Sequence, residues 1–240
     1  RHEVPEVVDK FPLPRLLDIL IQVCQTLAFA HEMGVIHRDL KPANIIVGKF
    51  GEVYVLDWGL AKIKGTQSLV PGGISEEPIP QDLKLTPTGR HYGTPMYMSP
   101  EIATGDPNLD ERSDIFALGV ILFEMLTLQS FVDGEDIIEI KEKILEKPYP
   151  LPREVAPNRE IPRDLQALCM KALQRKKSRR YPNILQFLDD LQKFRHGEEV
   201  SVYWYSGWEK LTRWNHRNAY LILSLVSAAA GAGLFALFSN

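Results

Sequence analysis

Leu16, Leu20, Val23, Leu27 and Ala30 recur at three- and four-residue steps, the period of a helix with one apolar face. The spacing predicts a helix over Leu13 to His31, stopped near Gly34. Two short β-branched runs follow, Ile45 to Val47 and Glu52 to Leu56, separated by Gly48 and Gly51. They predict a small hairpin. Residues 60–100 are rich in Gly, Pro, Ser and Thr and have little periodicity, which predicts a long loop. An ordered domain seldom keeps such a loop without a functional reason.

Beyond it, Ile115 to Leu126 is apolar nearly all round, with Glu124 its one charge. It is too short to cross a bilayer, so it predicts a fully buried helix. Amphipathic stripes return at Ile137, Ile140 and Ile144, at Leu165, Leu168, Cys169 and Ala172, and at Ile184, Phe187, Leu188 and Leu191. The expected fold class is α+β: a mainly α-helical lobe with one small β-hairpin. After Phe194 the pattern changes. Residues 196–218 are rich in Trp and positive charge, and residues 219–238 then run for 20 positions without a charge. At about 1.5 Å per residue such a helix spans the ~30 Å hydrocarbon core, so a single transmembrane helix is expected there.

Composition adds little against this. Apolar residues make up 45% of the 240 and charged residues 25%, an ordinary globular balance. The net charge of −3 gives no basic field, so nucleic acid is not an expected partner. Cys24 and Cys169 lie in apolar helical stretches without metal-ligand spacing, which reads as two small buried hydrophobes in a reducing compartment.

The candidate chemistry lies between the first helix and the hairpin, in His37-Arg38-Asp39-Leu40-Lys41-Pro42-Ala43-Asn44. Phosphoryl transfer asks of a protein mainly positioning and charge neutralisation. Asp39 can face an attacking hydroxyl, and Lys41 can offset charge on a γ-phosphate. The Asn44 carbonyl oxygen suits a hard cation. Thirteen residues later Asp57-Trp58-Gly59 offers a second Mg²⁺ ligand, with Gly59 expected to permit the backbone turn.

These residues resemble the H-R-D-L-x-x-x-N catalytic loop and D-F-G metal motif of protein kinases, with Trp58 in place of Phe. Lys41 marks the Ser/Thr branch, and the likeness is strongest to bacterial transmembrane Ser/Thr kinases of the PknB-like group. It covers residues 1–195 and implies the C-terminal lobe of that fold, followed by a juxtamembrane segment, 196–218, and the span 219–238. It implies ATP, Mg²⁺ or Mn²⁺, and protein substrates bearing Ser or Thr. Asp39 and Lys41 would be catalytic. Asn44 and Asp57 would bind metal and ATP, and Lys41 would also touch ATP. Ile46 would floor the adenine pocket or, equally, sit in the hairpin core.

Gly93 to Glu101 resembles the close of the family's activation segment, which places Thr94 near Asp39 and Lys41. Thr86 and Thr88 stand where bacterial relatives carry activating phosphates, and Arg38 would pair with such a phosphate. Glu101 is expected to pair with Arg180. Asp114 is expected to anchor the catalytic-loop backbone, to cap its helix, or both. No glycine-rich loop or strand lysine precedes His37, so the resemblance implies that the N-terminal lobe is missing and that activity belongs to an intact parent chain. The other reading is a membrane-anchored pseudokinase scaffold.

Basic Lys210, Arg213 and Arg217, with Trp204, Trp208, Trp214 and Tyr220, flank the apolar run. They place the lobe on the cytoplasmic side of a cell membrane. Ser224, Ala228, Ala232 and Ala236 recur every four residues, a stripe compatible with a homodimer or with plain lipid contact.

Overall fold

The computed structural model describes residues 12–60, 62–63 and 95–218. Helix α1, Leu13–Glu32, starts behind Pro12 and carries Pro14 in its first turn, where a missing N–H costs nothing. It buries Leu17, Leu20, Val23, Cys24 and Leu27, and the chain leaves it through Gly34 at φ 75°. By length and apolarity alone α1 could cross a membrane. It packs instead against other helices as a core element.

Strand β1, Val35–Ile36, leads into the candidate loop and a 3₁₀ turn at Pro42–Asn44. Strands β2, Ile45–Val47, and β3, Val53–Val55, form the expected antiparallel hairpin, with Ile45 opposite Val55 and Ile46 opposite Tyr54. The segment expected to be loop contains one further strand. Strand β4, Lys62–Ile63, pairs antiparallel with β1. Two residues are too few to leave a periodic signal, so the pairing shows only in three dimensions.

Helix α2, Pro100–Ala103, is one short turn that begins within the stretch Gly93 to Glu101. Helix α3, Arg112–Thr127, is buried on nearly every side, as its continuous apolarity predicts. It ends at Leu128, in the left-handed region at φ 57°. Helices α4, Ile137–Leu145, α5, Pro152–Val155, α6, Arg163–Ala172, and α7, Ile184–Arg195, follow; α5, α6 and α7 pack on α3, and α4 packs on α2. α6 crosses α3 closely at Gly119: a β-carbon there would lie 2.9 Å from the Ala172 methyl. α7 lies along α1, and both join one core with α3 and α6. This bundle is the platform on which the hairpin and candidate loop sit.

Helix α8, Gly207–Arg217, is opened by a capping box in which the Ser206 hydroxyl and the Glu209 carboxylate bond each other's backbone N–H. The preceding residues dock on the bundle, with Val200 and Tyr205 buried. The apolar run 219–238 lies outside the described residues.

Candidate active site

The candidate loop is held from beneath by Asp114. Its Oδ2 accepts from His37 N at 2.9 Å and its Oδ1 from Arg38 N at 2.9 Å. Its Oδ2 also contacts His31 Nε2 at 2.8 Å. Asp114 is 1% exposed and does not cap α3, whose N-cap position belongs to Glu111. Of the two readings of this residue, the anchor is the geometry formed. The anchoring fixes Arg38 in the left-handed region, φ 70°, an unfavourable conformation for a side-chain-bearing residue that persists where surroundings enforce it.

Asp39 then projects from a loop tied down at His37 and Arg38. Lys41 Nζ donates to Asp39 Oδ2 at 2.6 Å. Asn44 Nδ2 donates to the Asp39 carbonyl at 2.8 Å and, more weakly, to Oδ2 at 3.4 Å. Because that carbonyl only accepts, the amide nitrogen must be the atom facing it. The Asn44 side-chain oxygen is therefore turned away from Asp39.

The hairpin brings Asp57 to the same unit. Leu56 N donates to the Asn44 carbonyl at 2.8 Å, and the Leu56 carbonyl meets His37 Nε2 at 2.9 Å. Leu56 is thus pinned to Asn44 and His37 together, and Asp57 is the next residue. Its backbone turns into the left-handed region at φ 62°. Here the sequence reading is corrected: the strained residue is Asp57, while Gly59 has no positive φ. What Gly59 provides is space, since a β-carbon there would stand 3.3 Å from Asp57 Oδ1. Trp58 packs on the core, stacks obliquely on His37 with ring centroids 4.6 Å apart, and donates from Nε1 to the Val55 carbonyl at 3.0 Å.

Ile46 is 48% exposed and absent from the core, so the hairpin-core reading fails for it. Ile45, Val53 and Val55 supply that packing instead. Ile46 presents its side chain on the open face of the hairpin.

Arg180 forms a two-pronged pair with Glu101, Nη1 to Oε1 at 2.6 Å and Nη2 to Oε2 at 2.7 Å. Ser113 Oγ donates to Glu101 Oε1 at 2.8 Å. Burial alone would raise the Glu101 carboxyl. The bonds and charge of Arg180, with Ser113, outweigh it and hold the group below its ordinary value. Thr86, Thr88 and Thr94 lie outside the described residues, as does the stretch 64–84.

Three participants were not singled out from sequence: His37 as the tie to Leu56, His31 as a second partner of Asp114, and Ser113 as a second partner of Glu101. His37 opens the motif, which was a usable signal. His31 and Ser113 act across long sequence separations and left none.

Residues 7–190 match the protein kinase domain family. The chain belongs to the protein kinase family. This kinase sequence is 37% identical over 184 residues to the serine/threonine-protein kinase PknD of Protochlamydia amoebophila, covering 76% of this chain and 18% of that protein. It is 38% identical over 197 residues to the PknD of Chlamydia pneumoniae, covering 80% and 20%. The PknD of Chlamydia felis is 37% identical over 194 residues, with the same coverage of 80% and 20%. The chain therefore spans about a fifth of the length of these curated relatives.

Among the described residues no group of three or more His, Cys, Asp and Glu side chains could hold a metal by itself. Mg²⁺ is usually held by one or two protein groups and completed by substrate phosphates. The Asn44 amide oxygen, turned away from Asp39, and the Asp57 carboxylate are oxygen donors of the hardness such a cation takes.

Proposed function

We propose that this chain is the C-terminal lobe of a Ser/Thr protein kinase whose parent chain supplies the N-terminal lobe and transfers the ATP γ-phosphoryl group to protein Ser or Thr hydroxyls. One arrangement carries the reading: Asp39, Lys41 and Asn44 are mutually bonded on a loop that Asp114 immobilises, with Asp57 tied beside them through Leu56.

Asp39 orients the incoming hydroxyl and accepts its proton as the bond to phosphorus forms. Lys41 reaches both Asp39 and the γ-phosphoryl oxygens, where its charge opposes the negative charge of the transition state. Asn44 and Asp57 hold the metal, and Mg²⁺ or Mn²⁺ when bound neutralises charge on the phosphates. Ile46 on the open hairpin face contacts the adenine.

Regulation follows the same chemistry. Phosphorylation of Thr86 or Thr88, by a second copy of the kinase, creates an anion for Arg38. Arg38 Nε is buried without a hydrogen-bond partner among the described residues. Burial lowers the pKa of Arg38, partly offset by Asp114, so a further anion there is favoured. The family resemblance assigns the Thr94 hydroxyl to Asp39 and Lys41, and the Glu101–Arg180 pair holds the chain after it to the lobe.

The reading includes a membrane tether of the PknB-like kind: residues 219–238 cross the cell membrane once, with the kinase lobe cytoplasmic. The stripe of Ser224, Ala228, Ala232 and Ala236 supports a homodimer, and Ala228→Ile with Ala232→Ile leaving oligomerisation in membranes unchanged would remove that part.

The test of the activity is the parent kinase region with Mg²⁺ and labelled ATP, beside its Asp39→Asn variant. The variant is expected to lose roughly 10²-fold or more in rate, the size of a general-base contribution. Equal labelling by both proteins overturns the role of Asp39.

A further inference from the structure

Helix α8 meets the kinase lobe with its charged side. Arg213 donates to Asp164 of α6, and its Nη1 donates to the Glu198 carbonyl at 3.1 Å, with the guanidinium 4.7 Å over the Tyr205 ring. Lys210 pairs with Glu199 at 2.7 Å. Asp164, 3% exposed, also accepts from the Tyr205 hydroxyl at 3.0 Å. The segment leading to α8 is fixed the same way. Asp190 of α7, fully buried, accepts from Ser201 N and Oγ at 2.7 Å each and from the Tyr181 hydroxyl at 2.8 Å.

The apolar side of α8 faces away. At about 100° per residue, Trp208, Leu211 and Trp214 share an arc of about 120°, opposite Arg213. Trp208 is 73% exposed, Trp214 52% and Leu211 47%, and Trp204 just before the helix is 93% exposed. A surface helix of a water-soluble domain has the reverse arrangement, apolar side in and charged side out. A cluster of three exposed indoles marks an interaction surface.

What covers it follows from the chain itself. The uncharged run starts at Ala219, two residues beyond the last residue of α8. Two residues reach only a few ångströms, so when the run enters a bilayer α8 cannot leave its surface. Indole, with an apolar body and one N–H, partitions to the headgroup layer. We propose that Trp204, Trp208, Leu211 and Trp214 form a bilayer-interface face, so that α8 lies in the headgroup layer while Arg213, Tyr205 and Ser201 hold the kinase lobe to it in a fixed orientation. The occupant is lipid, and no anionic headgroup is required, since Lys210 and Arg213 are already paired. The inference rests on the membrane-spanning reading of residues 219–238 and adds the surface that orients the lobe.

The test places the full chain in phosphatidylcholine vesicles whose acyl chains are brominated either near the headgroup or near the bilayer centre. Tryptophan emission should fall at least about twofold with shallow bromines, as for side chains buried 5–10 Å into the boundary layer, and less with deep ones. The chain with Trp204, Trp208 and Trp214 all changed to Phe keeps only Trp58 and should show no quenching. Carbonate washing separates the two claims. A chain that stays in the membrane with unquenched emission overturns the interface and leaves the span standing. A chain that washes off overturns the span, and the interface with it. If a second copy covers the face, emission is unquenched and a Trp208→Cys chain forms copy-to-copy disulfides, which also overturns the proposal.

Discussion

Replacing Arg180 with Ala removes the most heavily used cation of the lobe. Its guanidinium donates to both oxygens of Glu101 and to the carbonyls of Gln174, Arg112 and Arg175, and it lies 4.9 Å over the Phe116 ring. The side chain is 0% exposed and that of Glu101 only 6%. Truncation strands a buried carboxylate with Ser113 as its remaining side-chain partner, and leaves three carbonyls short of a donor. Cutting one side of a buried pair costs about 3–5 kcal/mol. For a domain of this size 1 kcal/mol moves the unfolding midpoint by about 2–4 °C, so the expected drop is about 6–20 °C. The assay is thermal unfolding of the full chain in detergent, followed by circular dichroism. Arg180→Met with Glu101→Leu should be more stable than either single change, because the stranded charge is gone. A midpoint within about 2 °C of the parent for Arg180→Ala, or strict additivity in the double variant, would refute the assignment of the pair as a structural pin.

The same pair sets an acid limb. Glu101 titrates below its ordinary 4.5 in the folded lobe, so its stabilisation is full above pH 4.5 and is lost as pH falls through the lower folded value. Denaturant midpoints measured across that range should fall in the parent and fall less in Arg180→Ala. Gly119→Ala drives a methyl to 2.9 Å from Ala172 and 3.1 Å from Leu173, and should cost about 1–3 kcal/mol in urea unfolding by overpacking. Asp114→Asn faces an N–H toward a backbone N–H it formerly accepted from. It should lose about 1–3 kcal/mol, and in the parent kinase lower kcat while KM for ATP stays near its starting value.

Two kinds of signal were legible in the sequence, local periodicity and the motif resemblance, and the second reached the long-range Glu101–Arg180 pair and the Asp114 anchor. The helical stripes named the buried sides of α6 and α7 and, except at its start, of α1, where Leu17 rather than Leu16 is buried, because a period of three or four residues is enough to bury one face. The loop from His37 to Asn44 was legible through its likeness to the catalytic-loop motif, and the bonds that Asp39 makes to Lys41 and Asn44 are local. The hairpin was legible too, but not which of its residues face the core: Ile45 and Ile46 are alike in chemistry, and only the register opposite Val55 and Tyr54 separates them. The left-handed turn at Asp57 escaped notice because glycine two residues later is the more permissive residue. The docking of α8 left no pattern, since Asp164 and Asp190 find their partners by tertiary contact. The helix itself did carry a sign in Ser206-Gly-Trp-Glu209, a capping box that composition alone obscures.

On the proposed reading, Asn44 and Asp57 jointly hold the metal carried by the nucleotide beside Asp39. It is tested most directly by measuring ATP affinity of the parent kinase region with and without Mg²⁺, for the native sequence and for Asp57→Ala. Mg²⁺ should tighten ATP binding in the native protein, and Asp57→Ala should abolish this gain while leaving metal-free ATP affinity unchanged. An undiminished Mg²⁺ effect in Asp57→Ala would contradict it.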